Sequence, residues 1–197
     1  MDCDFCSVST FNGLRYRRRP ASDVLDALSG INKKLNIKRG GADIYEQVFE
    51  RIHNAGIAVL GAFIFGMDED TPDTLRDRAQ YMLDSGVDVM QTSALTPLPG
   101  TRLFARLKEE GRLLFTGFPK DWDRYDLTEV VYRPRQMGAA EFSRVMRECL
   151  AKIYAKPVLK AKARQTLKCT GRWDATEFAY QSNKNYQAIA MAANTFT

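Results

Sequence analysis

The clearest hydrophobic pattern in the chain lies within residues 40–111. In GGADIYEQVFERIHNAG, apolar residues recur every fourth position at Ile44, Val48 and Ile52, which predicts an amphipathic helix that ends at Gly56. The next segment, IAVLGAFIF, is apolar without alternation. That pattern is typical of a strand covered on both faces, as in a parallel sheet.

The pattern continues with a second helix, a second strand and a third helix. Thr71 followed by Pro72 predicts a helix N-cap and first helical residue, and this helix ends at Gly86. VDVMQTSAL predicts the second strand, and TPLPG predicts a rigid turn. Thr101 then begins a third helix, which ends at Gly111.

This order of elements predicts a parallel sheet. Short links between helices and strands are typical of right-handed βα units, so the strands near Ile57–Phe65 and Val87–Leu95 should be parallel and adjacent. Ligands of such sheets bind at the carboxyl ends of the strands. Those ends are followed here by GMDEDTP and TPLPGT, where a functional site should therefore lie.

The pattern of the sequence changes after residue 111. The segment RLLFTGFPKDWDRYDLTEVVYRPRQ is aromatic, punctuated by proline and irregular, whereas GAAEFSRVMRECLAKIYA predicts a helix. Its apolar face holds Phe142, Val145, Met146, Cys149 and Ile153. We therefore divide the chain into a βα region, residues 1–111, and a mainly helical extension, residues 112–197.

Composition sets the class of protein. The 197 residues are 45% hydrophobic and 27% charged, as in one ordinary soluble domain. No stretch approaches the roughly 20 apolar residues of a membrane span, and the first residues lack the basic-then-apolar run of a secretory signal. We therefore expect a cytoplasmic location.

The net charge of +5 is mild and partly local. The run RYRRRP, Arg15–Pro20, is a candidate for steering a carboxylate or phosphate, or it is a solvated face. A second basic run is KPVLKAKARQTLK. His53, the one histidine, stands at a helix end, and we expect it to be an ordinary surface or cap residue.

Cys3 and Cys6 form a Cys-x-x-Cys pair with Phe5 between them. By itself this pair is half of a zinc site, a redox pair, an iron–sulfur fragment or two buried thiols. Zinc needs a second ligand pair, and Cys149 and Cys169 lie twenty residues apart without a nearby histidine. We expect neither of these two to be a ligand, with Cys149 acting as a small hydrophobe in its helix.

Three motifs together resemble the radical S-adenosylmethionine superfamily. CDFC resembles the end of its C-x3-C-x-aromatic-C signature, and VSTFNGLRYRRRP resembles the segment after this signature in the cobalamin-dependent branch. GAFIFGMDEDTPDTL and LTPLPGTRLF are similar to the fifth and sixth strands of that family's partial barrel and their turns. The resemblance implies an α/β fold: an incomplete parallel (β/α) partial barrel with a helical extension.

The resemblance also implies cofactors and site residues. Cys3 and Cys6 would be two of three thiolate ligands of a [4Fe–4S] cluster, whose fourth iron binds S-adenosylmethionine. Phe5, Ile64 and Gly66 would contact the adenine. Among the acids after the strand, Glu69 and its neighbours Asp68 and Asp70 would bond ribose hydroxyls or cap the next helix. Gln91 and Thr92 would face the barrel interior or make ordinary hydrogen bonds to the backbone.

Two departures from the family pattern limit the expected activity. The first signature cysteine would fall two residues before Met1, and a cobalamin-binding domain lies on the amino-terminal side in relatives. Only two parallel strands are apparent where the partial barrel needs six, so we expect the chain alone to be inactive. The partner would be an unidentified small-molecule or lipid-like substrate rather than nucleic acid. The alternative is a non-catalytic remnant or binding module whose basic surface holds a protein or nucleic-acid partner.

Overall fold

The computed structural model describes residues 45–193, and Cys3, Phe5 and Cys6 lie outside the described residues. In chain order the elements are α1 (Tyr45–Asn54), β1 (Leu60–Phe65), α2 (Pro72–Asp84), β2 (Val89–Ala94), α3 (Arg102–Glu109), a 3-10 turn (Trp122–Arg124), α4 (Ala139–Ile153), α5 (Lys156–Thr170) and α6 (Trp173–Ala193). The predicted helix–strand–helix–strand–helix order is confirmed. So is the mainly helical character of the extension.

The sheet of the described residues consists of β1 and β2, which are adjacent and parallel. Their register runs from Leu60 opposite Val89 to Phe65 opposite Ala94, with α2 as the crossover. The fold is therefore mixed α/β with a parallel pair, as predicted, while a partial barrel stays a prediction. Both strands are shorter than expected from the apolar runs.

The helix starts follow the local sequence. Thr71 caps α2: its hydroxyl accepts from the Thr74 N–H at 3.3 Å, and the Thr74 hydroxyl accepts from the Thr71 N–H at 2.9 Å. This reciprocal pair satisfies N–H groups that have no partner within the helix. Thr101 caps α3 by accepting from the Phe104 N–H at 3.2 Å. The predicted cap of α2 and the predicted start of α3 at Thr101 are confirmed.

The main hydrophobic core lies on one face of the sheet. Side chains of β1 and β2 pack there against α2, α4 and α6. Its members include Phe65, Leu75, Met82, Met90, Phe142, Val145, Met146, Cys149, Ile153 and Ala190. The predicted apolar face of α4 is buried throughout. Apolar burial of this extent is the dominant stabilising contribution to the fold.

The free edge of β2 is covered by the helical extension. Asn183 of α6 accepts from the Met90 N–H at 2.9 Å through its side-chain oxygen and donates to the Asp88 carbonyl at 2.7 Å. The Tyr154 hydroxyl donates to the Met90 carbonyl at 2.6 Å, and the Leu127 carbonyl accepts from the Ala94 N–H at 2.8 Å. The extension therefore folds back over this edge of the sheet.

The amino-terminal end of the sheet is held by a buried polar network around Asp88. One carboxylate oxygen lies 2.7 Å from His53 Nε2 and accepts from the Val59 N–H, and the other accepts from the Thr166 hydroxyl at 2.7 Å. The expectation of an ordinary surface or cap role for His53 was wrong. The imidazole is buried because the Asp88 carboxylate provides the hydrogen-bond partner that burial demands.

Candidate functional site

The candidate site lies at the carboxyl ends of β1 and β2. Gly66, directly after β1, has φ of +102°, a conformation that disfavours residues with a Cβ. A Cβ there would lie 2.5 Å from Phe142 Cζ and 3.1 Å from the Tyr132 hydroxyl oxygen. Glycine at this position thus admits two aromatic rings of the extension. The Tyr132 hydroxyl also donates to the Gly66 carbonyl.

Asp70 closes the loop after β1. Its buried carboxylate accepts from the N–H groups of Gly66 at 2.9 Å and Met67 at 2.8 Å, and from Arg78 at 2.6 and 2.7 Å. Burial alone would raise the pKa of Asp70, but these hydrogen bonds outweigh it and lower the pKa. Of the two alternatives for Asp70, capping of the next helix is wrong, because Thr71 is the N-cap.

Asp68 is surrounded by arginines. Arg112 lies 2.5 Å from its carboxylate, Arg135 3.4 Å and Arg106 3.7 Å. The hydrogen bond from Arg112 is the main reason that the pKa of Asp68 lies below its ordinary value. Glu110 pairs with Arg112 and Arg135 at 2.8 and 3.2 Å. The strand end therefore carries a cluster of three guanidinium groups and two carboxylates.

Sequence reasoning did not find this arginine cluster. Its members come from α3 and from the irregular segment after it, which has no periodicity that would bring them together. A turn at Gly111 and a bridge between Leu113 and Tyr132 bring this segment back beside the sheet. No local signal in the sequence indicates that bridge, because it joins residues 19 apart in an irregular stretch.

The two faces of the sheet differ in the residues that cover them. Phe63 and Phe65 of β1 point toward the helices of the main core, and strand alternation places Ala62 and Ile64 on the opposite face. Ile64 packs there against a second apolar cluster that includes Leu95, Leu103, Leu107 and Tyr132. Leu60 and Ala62 are exposed on this face, so it is open along β1 among the described residues, whereas Val89 at the start of β2 is buried.

Gln91 and Thr92 lie on different faces, because neighbouring residues of a strand alternate. The Thr92 hydroxyl lies 3.0 Å from that of Tyr154, on the side of the helices. Gln91 is opposite Ala62 in the register, and Ser93 is opposite Ile64. Both are half-buried on the open face. Of the two residues expected at a barrel interior, only Gln91 lies on the face that would form one.

The predicted site residues of β1 lie together at this strand end. Ile64 is half-buried, Gly66 is buried and Glu69 is exposed on the loop. Their contact with adenine stays a prediction. Phe5 and the predicted ligands Cys3 and Cys6 lie outside the described residues.

The thiols that the structure describes have other surroundings. Cys149 is buried against α2, where burial raises the pKa of its thiol, and Cys169 is exposed on α5. Within residues 45–193 no group of three or more His, Cys, Asp or Glu side chains is arranged to hold a metal ion. None of the described helices is long and apolar enough to span a membrane.

Comparison with known proteins finds methyltransferases. The chain is 31% identical over 113 residues to bacteriochlorophyllide d C-12(1)-methyltransferase of Chlorobaculum tepidum, an alignment covering 57% of the chain and 23% of the relative. It is 24% identical over 92 residues to bacteriochlorophyllide d C-8(2)-methyltransferase of the same organism, covering 47% of the chain and 20% of the relative. It is 38% identical over 63 residues to hopanoid C-2 methylase of Rhodopseudomonas palustris, covering 32% and 12%.

These alignments span less than a quarter of each relative's length. No protein-family profile matches the chain. The comparisons therefore show similarity to part of several methyltransferases.

Proposed function

We propose that this chain is part of a radical S-adenosylmethionine methyltransferase of the cobalamin-dependent kind. Two findings support the proposal: the relatives carry methyltransferase names, and the chain has the CDFC, GMDEDTP and TPLPGT motifs. The observation that carries it is the parallel pairing of β1 with β2. This pairing brings the ends of the two strand motifs to one edge, where such folds bind their ligands.

In this proposal Cys3 and Cys6 contribute thiolates to a [4Fe–4S] cluster that would supply an electron for cleaving S-adenosylmethionine. The described residues would hold the organic part of that cofactor. Ala62 is small and exposed on the open face, and Ile64 follows it on the same side. Gln91 and Ser93 stand opposite these two residues and offer polar groups to ribose hydroxyls.

Gly66 would contribute through close packing, because it has no side chain. Its N–H already donates to Asp70, and its carbonyl already accepts from Tyr132. A contact between Gly66 and an adenine ring would therefore rely on van der Waals packing. Glu69 is the acidic side chain of this loop that remains exposed, whereas Asp70 is buried and Asp68 is paired with arginine. Glu69 is therefore the acid that we assign to the ribose.

The names of the relatives indicate a broad class of substrate. Their names specify a bacteriochlorophyllide and a hopanoid. We propose a hydrophobic small molecule or lipid-like compound as the methyl acceptor. Cobalamin would be held by another part of the complete protein.

The test is anaerobic reconstitution of the chain with iron and sulfide. Because CDFC offers two thiolates, we expect a labile cluster at less than one per chain, with the iron content falling at least severalfold in Cys3→Ala and Cys6→Ala. Cys169→Ala is the matched control, since it removes an exposed thiol elsewhere and should leave iron unchanged. An iron content that is unchanged in Cys3→Ala and Cys6→Ala would contradict the proposal.

A further inference from the structure

A row of exposed cations runs along α5. Lys156, Lys160, Arg164 and Lys168 recur every fourth residue, and all four are exposed. Four residues advance an α-helix by about 6 Å and rotate it by about 40°, so the four charges span about 18 Å along one side. We call these four residues the basic stripe. The 15 residues of α5 include no acidic side chain.

The orientation of the basic stripe is fixed by the opposite side of α5. Leu159 and Thr166 are buried there, and the Thr166 hydroxyl donates to Asp88. Lys162 is buried as well and donates to the Ser85 carbonyl at 2.8 Å. These contacts attach α5 to the start of β2. The basic stripe must therefore face solvent.

The charges of the basic stripe are unpaired within the described residues. None of its four side chains forms an ion pair or hydrogen bond there, whereas many other exposed arginines pair with a carboxylate, such as Arg144 with Glu148 at 2.5 Å and Arg172 with Asp174 at 2.5 Å. Unpaired cations aligned on one side produce a local positive potential. Such a potential attracts an anionic partner.

Apolar groups accompany the basic stripe. Leu167 lies on the same arc of α5 and is 37% exposed. Beyond the turn at Gly171, Trp173 opens α6 with 73% of its surface exposed. Trp combines a large apolar ring with a polar N–H and favours the interface between water and lipid. Lysine side chains can likewise lay their apolar stems on such a surface while the ammonium groups stay in water.

We propose that the basic stripe and Trp173 bind the surface of an anionic lipid bilayer. The charges are complementary to acidic headgroups, and Leu167 and Trp173 provide the apolar contacts that a basic interfacial helix uses. Leu167 and Trp173 add exposed apolar area that contact with nucleic-acid phosphates does not use, and three of the four cations are lysines, which act as point charges. A bilayer therefore fits this surface better than nucleic acid does. The proposal stands independently of methyl transfer.

The test uses the whole chain and vesicles of phosphatidylcholine with or without about one third phosphatidylglycerol. We expect co-sedimentation with the anionic vesicles only, weakened at least tenfold when salt rises from about 0.05 to 0.5 M, as screening demands. Lys160→Glu with Arg164→Glu should abolish it. The control reverses two exposed lysines outside α5, Lys108→Glu with Lys120→Glu, and should retain binding despite the same change in net charge.

Trp173 provides a second measurement. The chain has two tryptophans, so Trp122→Phe leaves Trp173 as the single reporter. Its emission should shift to the blue on addition of anionic vesicles, and Trp173→Ala should weaken co-sedimentation while leaving the circular dichroism unchanged. Equal binding to neutral vesicles, binding unaffected by Lys160→Glu with Arg164→Glu, or a preference for duplex RNA over anionic vesicles would overturn the proposal.

Discussion

At the scale of the residue, buried polar side chains hold the two ends of the sheet. Asp70 fixes the loop at the carboxyl end of β1, and Asp88 fixes the start of β2. Asp70 accepts from the backbone N–H groups of Gly66 and Met67, and Asp88 accepts from that of Val59. The cost of leaving such groups unsatisfied is larger than the net gain of an ordinary hydrogen bond, so single substitutions here have large effects.

Asp70→Ala should destabilise the protein by about 2–4 kcal/mol, because it strips the acceptor from two N–H groups and from the half-buried Arg78. Chemical denaturation monitored by circular dichroism measures the change. Asp73→Ala is the control: that side chain is 90% exposed in its pair with Arg76, so about 0.5 kcal/mol or less is expected. Equal effects of the two substitutions would refute the assigned role of Asp70.

Lys162 makes stability depend on pH. Burial lowers the pKa of Lys162 to about 8, whereas the unfolded chain keeps the value near 10.5. Above pH 8 the folded protein releases a proton that the unfolded chain retains, so the free energy of unfolding should rise by about 1–2 kcal/mol toward pH 9.5. Below pH 8 both states hold the proton and the contribution is constant.

Denaturation at pH 7.5, 8.5 and 9.5 tests this dependence, with the upper limit set below the ordinary tyrosine pKa of about 10. Lys162→Met should remove most of this rise in the free energy of unfolding. Lys160→Met, at an exposed position of the same helix, should preserve it. A slope that persists in Lys162→Met would assign the pH dependence to another group.

At the scale of the element, α6 acts as a substitute for a neighbouring strand. The side-chain amide of Asn183 carries an acceptor oxygen and a donor NH2 group, as a peptide unit carries C=O and N–H, and it uses both on β2. Tyr154 and Leu127 satisfy further groups on the same edge. An edge covered in this way is withheld from pairing with another chain.

Asn183→Ala should destabilise the protein by about 2–3 kcal/mol, since the Met90 N–H and the Asp88 carbonyl lose their partners in a buried place. Hydrogen exchange of the Met90 amide should accelerate at least tenfold. Asn185→Ala changes the same residue type two positions along α6 at an exposed site, and it should leave both measurements unaltered. Unchanged protection of Met90 in Asn183→Ala would mean that another group covers the edge.

At the scale of the whole molecule, local order was predictable and long-range contact was not. The spacing of apolar residues and the helix caps predict the order of the elements. These signals, which include Thr71 and Thr101, act over only a few residues of the chain. The contacts that fix the amino-terminal end of the sheet join His53 to Asp88 and Asp88 to Thr166, which lie 35 and 78 residues apart. A single sequence does not identify such pairs, so the position of His53 at a helix end predicts a surface residue. The arginine cluster around Asp68 escaped prediction for the same reason.

Coverage of β2 by α6 also has a consequence for biosynthesis. Met90 leaves the ribosome before Asn183, which is 93 residues further along the chain. At translation rates of about 5–20 residues per second, the Met90 N–H on the outer edge of β2 waits about 5–20 s for this partner. A nascent chain that stalls in this interval exposes an open strand, the kind of surface to which other strands add and which chaperones shield. The helix α6, which is synthesised after both strands, therefore protects an edge that these strands leave exposed.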